Sequence, residues 1–245
     1  MSILDKVNIT LGFISNYCTI KYTQYNSSLV SNFTEVYDAS FITLNDNSGW
    51  VYWNDIGLMA AVNKVNRDAS VLPGVHVNLK RFTDCGPWDP AAAQNYAGKS
   101  GGYASAVTAM DIAEVYTDVI GVIGNEYSSV TKETAEILSH YQIPYCSLIS
   151  GSPSLSNKHK YPYLWRTLPI SFARSFGLIL SEWKVKRVGI IYQKDDLLSS
   201  AMFQQCISLF QVFDMTVVTS IGLIGKFDSD SIRYVAETIT HTDSR

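Results

Sequence analysis

Ser128 and Ser129 are the residues with the plainest capacity for chemistry in this chain, because they open a helix-periodic segment that runs to His140. The first turn of a helix leaves backbone N–H groups without partners and carries the positive end of the helix dipole. A hydroxyl placed there helps to hold an anion such as a carboxylate. A serine before a helix is equally a routine N-cap, and the sequence leaves both roles open. Tyr192, Asp195 and Asp196 follow an apolar run from Arg187, where they either face a cleft or cap the next helix. Trp50 and Trp53 stand ahead of the first helical pattern. An exposed indole there packs over an apolar stem or an ammonium group, or staples the helix start.

Catalysis has no such foothold. His76, His140, His159 and His241 are scattered, and no nucleophile elbow, dinucleotide loop, phosphate loop or paired-histidine zinc pattern occurs. No catalytic residue, metal ligand or cofactor is therefore assigned. Cys18, Cys85, Cys146 and Cys206 lack the spacing and histidine neighbours of zinc or thiol-redox sites, which leaves disulfides and buried thiols both open. Asn8, Asn26 and Asn32 head N-x-S/T sequons and are expected glycan acceptors if the chain is secreted.

Placing these groups falls to an alternation of strand and helix patterns. Val7 to Ile14 reads as a strand, and 16–48 as a loop or insertion without helical period. Asn54 and Asp55 look like the start of a helix with Leu58, Ala61, Val62 and Val65 inward. Strand Val75 to Phe82 follows, then an Ala-rich helix with Ala106, Ala109, Met110 and Ala113 on one face, and strand Val119 to Ile123. Helix Ser129 to His140 turns Val130, Thr134, Ile137 and Leu138 inward, and strand Ile143 to Leu148 and a short strand at Tyr163 to Arg166 come next. The pattern then restarts. One helix has Phe172, Phe176, Ile179, Leu180 and Trp183 as its inner face, strand Arg187 to Tyr192 follows, and the next helix uses Met202, Cys206, Leu209 and Phe213. Strand Met215 to Ile221 and a helix with Ile232, Val235, Ala236 and Ile239 inward complete the order.

Such alternation implies right-handed crossovers and an α/β class with mainly parallel sheets flanked by helices. The restart divides the chain into 1–168 and 169–245, and the shorter second part is expected to be an incomplete lobe. The 245 residues are 47% hydrophobic and 17% charged, which fits a packed protein rather than a disordered one. With 19 basic and 22 acidic residues and no basic cluster, nucleic acid is not an expected partner. The apolar runs are strand-sized, far short of the roughly 20 residues of a membrane span, and Met1 to Lys6 lacks the pattern of a secretory leader, which is expected to be either absent or outside this chain.

Five blocks in order then carry a family likeness. They are Val122-Ile123-Gly124, Tyr127-Ser128-Ser129-Val130, Ile143-Pro144, Ser152-Pro153-Ser154-Leu155-Ser156, and Tyr161 to Pro169. This order resembles the receptor-family ligand-binding region, a type I periplasmic-binding-protein-like fold. Ser128-Ser129-Val130 with Ser152 to Asn157 looks most like class C G-protein-coupled receptors of the metabotropic GABA type. The resemblance implies a small amino-acid or other carboxylate ligand held between two lobes, contacted by Ser128 and Ser150 with Ser129 and Ser152 beside them. It brings Trp50 near an aromatic ligand contact and leaves Tyr192 as a candidate from the second lobe. It further implies a dimer through the first lobe, an extracellular location at the cell membrane, and membrane attachment through segments absent from this chain. Cys85 resembles a cysteine whose usual partner position is here Tyr127, leaving Cys18 as the alternative. A transport-system solute-binding protein and a receptor guanylyl cyclase module share the fold.

Overall fold

β-branched runs and amphipathic segments alternate along the computed structural model, which describes residues 6–15, 30–31, 35–36, 49–84, 103–125, 127–168, 172–225 and 228–241. Contacts divide it into two compact units, Met1–Ser150 with Asn157–Thr167, and Gly151–Ser156 with Leu168–Arg245. In the first unit the strands are β1 (Val7–Ser15), β2 (Val30–Ser31), β3 (Glu35–Val36), β4 (Val75–Thr83), β5 (Val119–Gly124), β6 (Tyr145–Ser147) and β7 (Leu164–Arg166). Its helices are α1 (Gly49–Arg67), α2 (Tyr103–Glu114) and α3 (Ser128–His140). The sheet runs β2-β3-β4-β1-β5-β6-β7 and is parallel except at β2 and β3. The pairs Ser15 with Thr83, Ile14 with Gly124, Gly124 with Ser147 and Ser147 with Arg166 bring the carboxyl ends of five strands level. Phe13, Ile14, Phe82, Ile112 and Leu138 fill the core beneath that line and are fully buried.

The segment 16–48, expected as loop, carries the short antiparallel pair β2 and β3, which lies against the end of β4. Asn26 and Asn32 within it, with Cys18 and Cys85, lie outside the described residues. α1 begins at Gly49, five residues ahead of the expected start. Trp50 and Trp53 therefore lie inside the helix instead of preceding it. Asp55 is no cap either: its carboxylate is buried and accepts from Arg81 of β4, Nε at 2.6 Å and Nη2 at 3.2 Å. Ala61 faces solvent, while Val62 is buried. At the other end of α1, the Asn66 side chain accepts from Val77 N–H at 2.7 Å and donates to Val77 C=O at 2.9 Å, tying helix to strand. In α2, Met110 is exposed and the inward set is Ala104, Ser105, Thr108, Ala109 and Ile112.

The second unit contains α4 (Phe172–Glu182), β8 (Arg187–Gln193), α5 (Leu197–Val212), β9 (Thr216–Leu223) and α6 (Ser229–His241), with a 3-10 turn at Pro153–Ser156. β8 and β9 pair in parallel. Its core is Ala173, Cys206, Phe210 and Met215, with Leu180, Val188, Ile190, Leu209, Phe213 and Val217 packed against it. Here the helix faces depart from expectation. α4 turns Ala173 and Gly177 inward, leaving Phe172, Phe176, Ile179 and Trp183 exposed. The reason is proximity: a Cβ on Gly177 would stand 2.5 Å from the Phe213 ring, so only small residues fit at that contact. In α5, Phe203, Cys206 and Phe210 are the buried positions, with Met202 at the margin. α6 buries none of its residues, and Ile232 and Ile239 are exposed.

Candidate functional site

Strand carboxyl ends carry C=O groups and turns that need polar partners, and in the first unit these partners form one buried cluster. Gly124 closes β5 at φ 144°, a conformation reserved for glycine, and Asn125 follows in the left-handed region at φ 52°. This turn drives the Asn125 side chain into the interior. Its amide nitrogen donates to Asp84 Oδ2 at 2.7 Å, and its amide oxygen accepts from the Tyr145 phenol at 2.6 Å. Ser147 Oγ donates to the Asn125 carbonyl at 3.3 Å.

Tyr145 Oη also lies 3.5 Å from Thr131 Oγ1, whose hydroxyl is 2.5 Å from Ser150 Oγ and 3.4 Å from Ser147 Oγ. The Ser150 carbonyl accepts from Arg166 Nη1 at 3.2 Å. Asp84, Asn125, Thr131, Tyr145, Ser147 and Ser150 are all at most 3% exposed. Burial pushes the Asp84 carboxyl up, to about 6, while the Asn125 amide pulls the other way. Burial also lowers the Arg166 guanidinium.

Ser128 and Thr131 lie one turn apart on the buried face of α3, so the start of that helix and the loop after β6 converge through the Thr131 to Ser150 contact. The residue at the N-cap is Tyr127, whose side chain makes no capping bond. The capping role for Ser128 or Ser129 is thereby ruled out: both sit within the first turn, Ser128 buried and Ser129 half-buried. Asn125, Thr131, Tyr145 and Asp84 were not among the residues expected from the sequence. One signal was available, namely Thr131 and Thr134 on the inward face of a helix, where a hydroxyl needs a partner.

The other candidates are placed separately. Ser152, in the second unit, is fully buried and its Oγ pairs with Ser154 Oγ at 2.9 Å. Tyr192 stacks on Phe203 with ring centroids 4.0 Å apart, and its ring lies where a Cβ on Gly222 would fall. Asp196 caps α5, accepting from Ser199 N–H at 2.6 Å. Asp195 accepts from Gly225 N–H at 3.0 Å, a bond that lowers its carboxyl from the ordinary value. Trp53 is exposed on α1, and the Trp50 side chain lies outside the described residues. Asn8 is exposed on β1, near the amino-terminal ends of the strands. A cavity of about 470 Å³ beside Asn63 and Arg67, and one of about 230 Å³ lined by Ile190 and Ile239, involve none of these residues. Among the described residues no group of His, Cys, Asp or Glu is placed to hold a metal ion.

A parallel sheet with helices on its flanks and polar groups gathered at its carboxyl ends defines a periplasmic-binding-protein-like α/β fold. An ABC transporter substrate-binding protein from Desulfitobacterium hafniense superposes with a TM-score of 0.64 at 16% identity, covering 96% of this chain and 55% of that one. The chain belongs to the receptor family ligand binding region, whose family model matches residues 56–241. It is similar to a metabotropic glutamate receptor of Drosophila melanogaster, 27% identical over 133 residues, which are 50% of this chain and 14% of that receptor. It is also similar to taste receptor type 1 member 3 of Felis catus, 25% identical over 118 residues, 46% of this chain and 13% of that protein. The matches thus span about a seventh of the length of these relatives. No helix among the described residues is long and apolar enough to cross a membrane.

Proposed function

We propose that this chain is part of the extracellular ligand-binding region of a membrane receptor and binds a small amino-acid-like or other carboxylate ligand. The observation that carries this reading is the hydroxyl-rich start of α3 meeting the loop after β6 at Thr131 and Ser150. The positive dipole end there favours an anion, and Ser128, Ser129 and Ser150 are the hydroxyls assigned to it. Ser152, Trp50 and Tyr192 are assigned further contacts on the strength of the family likeness. The reading puts the receptor nearest the metabotropic GABA type, and the likeness of Ser128-Ser129-Val130 and Ser152 to Asn157 supports it. In this reading residues 1–168 are one lobe and 169–245 part of a second, closure of the lobes on ligand signals, and a dimer forms through the first lobe. Asn8, Asn26 and Asn32 carry glycans.

Thermal-shift measurements on the ligand-binding region of the full-length polypeptide, against a panel of amino acids and small organic acids, test the reading. A ligand that binds the folded form raises the midpoint. Ser128→Ala and Ser150→Ala are expected each to reduce that shift, and an undiminished shift in both removes the site.

A further inference from the structure

We propose that Arg166 and Thr167, at the end of β7, are positioning residues for ligand binding: their side chains clamp the loop after β6 and so fix the place of Ser150. The inference rests on the reading above that Ser150 contacts ligand. It also gives a role to the block Tyr161 to Pro169, which marks the family likeness but supplies none of the assigned contacts. The backbone ladder between β6 and β7 ends where Ser147 pairs with Arg166. Leu148, Ile149 and Ser150 lie past that point, where carbonyl groups need partners from outside the ladder. Side chains take over there. Thr167 Oγ1 donates to the Leu148 carbonyl at 2.5 Å, and Arg166 Nη1 donates to the Ser150 carbonyl at 3.2 Å. Both directions are fixed by chemistry, because a carbonyl oxygen only accepts.

The two bonds come from adjacent residues and grip carbonyls on either side of Ile149. A single bond would leave the loop a pivot, whereas two anchors two residues apart fix its rotation as well as its place. The Arg166 bond is charge-assisted, which makes it the stronger of the pair. β7 is itself held, since it pairs with β6 along Leu164–Arg166 and Lys158 Nζ donates to the Leu164 carbonyl while lying 4.7 Å from the centre of the Trp165 ring. Ser150 is thus secured by its main chain from β7, and its hydroxyl meets Thr131 of α3 at 2.5 Å. A contact carried on a loop loses precision unless neighbouring groups restrain it, and a misplacement of about 1 Å is enough to weaken binding.

The experiment measures dissociation constants for L-glutamate, glycine and γ-aminobutyrate on the full-length polypeptide. The proteins are wild type, Ser150→Ala, Thr167→Val, Thr167→Ser, Arg166→Met and the Ser150→Ala/Thr167→Val double variant. Thr167→Val keeps the shape and removes the donor; it is expected to weaken binding by about threefold to tenfold, and Thr167→Ser to restore it. Arg166→Met keeps the stem and is expected to weaken binding about tenfold or more. Thr167 is exposed, so its variants should melt close to the wild type, which separates positioning from a general loss of stability. In the Ser150→Ala background, Thr167→Val should have no further effect, since the clamp acts through that serine. Ser150→Ala weakening binding while Thr167→Val or Arg166→Met leaves it unchanged, or while Thr167→Val adds to it in full, overturns the clamp alone. Ser150→Ala without effect, or no binding of any of the three probes, overturns the serine site and the clamp with it. If Arg166→Met does not fold, Thr167→Val decides by the same cycle.

Discussion

Gly124 leaves no space for a side chain: a Cβ there would lie 2.0 Å from the Ile14 carbonyl oxygen, and its φ of 144° is closed to other residues. Gly124→Ala is accordingly expected to abolish folding of the first unit, read as loss of soluble protein or of the native circular dichroism spectrum. Asp84 gives a milder test through pH. Its folded carboxyl titrates near 6, above the unfolded value of about 3.9, so the folded state prefers it protonated. The stability it contributes is complete below about pH 4 and is lost as pH rises through about 6, a change of up to about 3 kcal/mol. Asp84→Asn keeps an acceptor for Asn125 and removes the titration. Its melting temperature should therefore fall less than that of the wild type between pH 4.5 and 7.5; equal slopes would show that Asp84 does not titrate in this range. At this scale the sequence was partly legible. Ser128 stands inside a recognisable block, whereas Ser150, Asn125 and Tyr145 stand just outside such blocks and Asp84 is far from any. Their common destination depends on strand register, which no local pattern encodes.

Elements show where periodicity succeeds and where it misleads. In the first unit the strands, and the helix from Ser128, follow their apolar spacing because one stripe faces one core. α4 is the counterexample. Its large apolar stripe is plain in sequence, but the close approach of Phe213 selects the small stripe of Ala173 and Gly177. A prediction against helix propensity follows from that contact. Alanine is a better helix former than glycine by about 1 kcal/mol, yet Gly177→Ala should destabilise the second unit by about 1–3 kcal/mol through overpacking. Phe213→Leu in the same chain should recover part of the loss in urea unfolding. An increase in stability on Gly177→Ala would show that the helix packs elsewhere. Similarly, the start of α1 was hidden because Asn54 and Asp55 have the look of caps, while Asp55 is spent on Arg81. Asp55→Ala leaves that guanidinium mostly buried and is expected to cost about 3 kcal/mol or more; Asp55→Leu with Arg81→Met should be better tolerated.

Across the whole molecule, the α/β class was readable from element order alone, but the distribution of apolar surface was not. Phe176 is 51% exposed and Trp183 is 71% exposed, with Phe172, Ile179, Ile232 and Ile239 also outward in the second unit. Surface of that kind favours association, so this 245-residue chain is expected to bind a hydrophobic dye while folded and to self-associate at micromolar concentration. Phe176→Glu with Trp183→Lys should reduce both, measured by dye fluorescence and sedimentation. The tie between Asn66 and Val77 has the opposite bearing on association. Among the described residues, β3 pairs with β4 at Arg81 and Phe82 alone, and no other strand pairs with the amino-terminal half of β4 on that side. A bare strand edge is a template for another chain, and the carboxamide of Asn66 occupies both hydrogen-bonding groups of Val77 along it. The side chain thus acts as a one-residue counterfeit strand, guarding against aggregation by edge pairing as well as holding a helix in place.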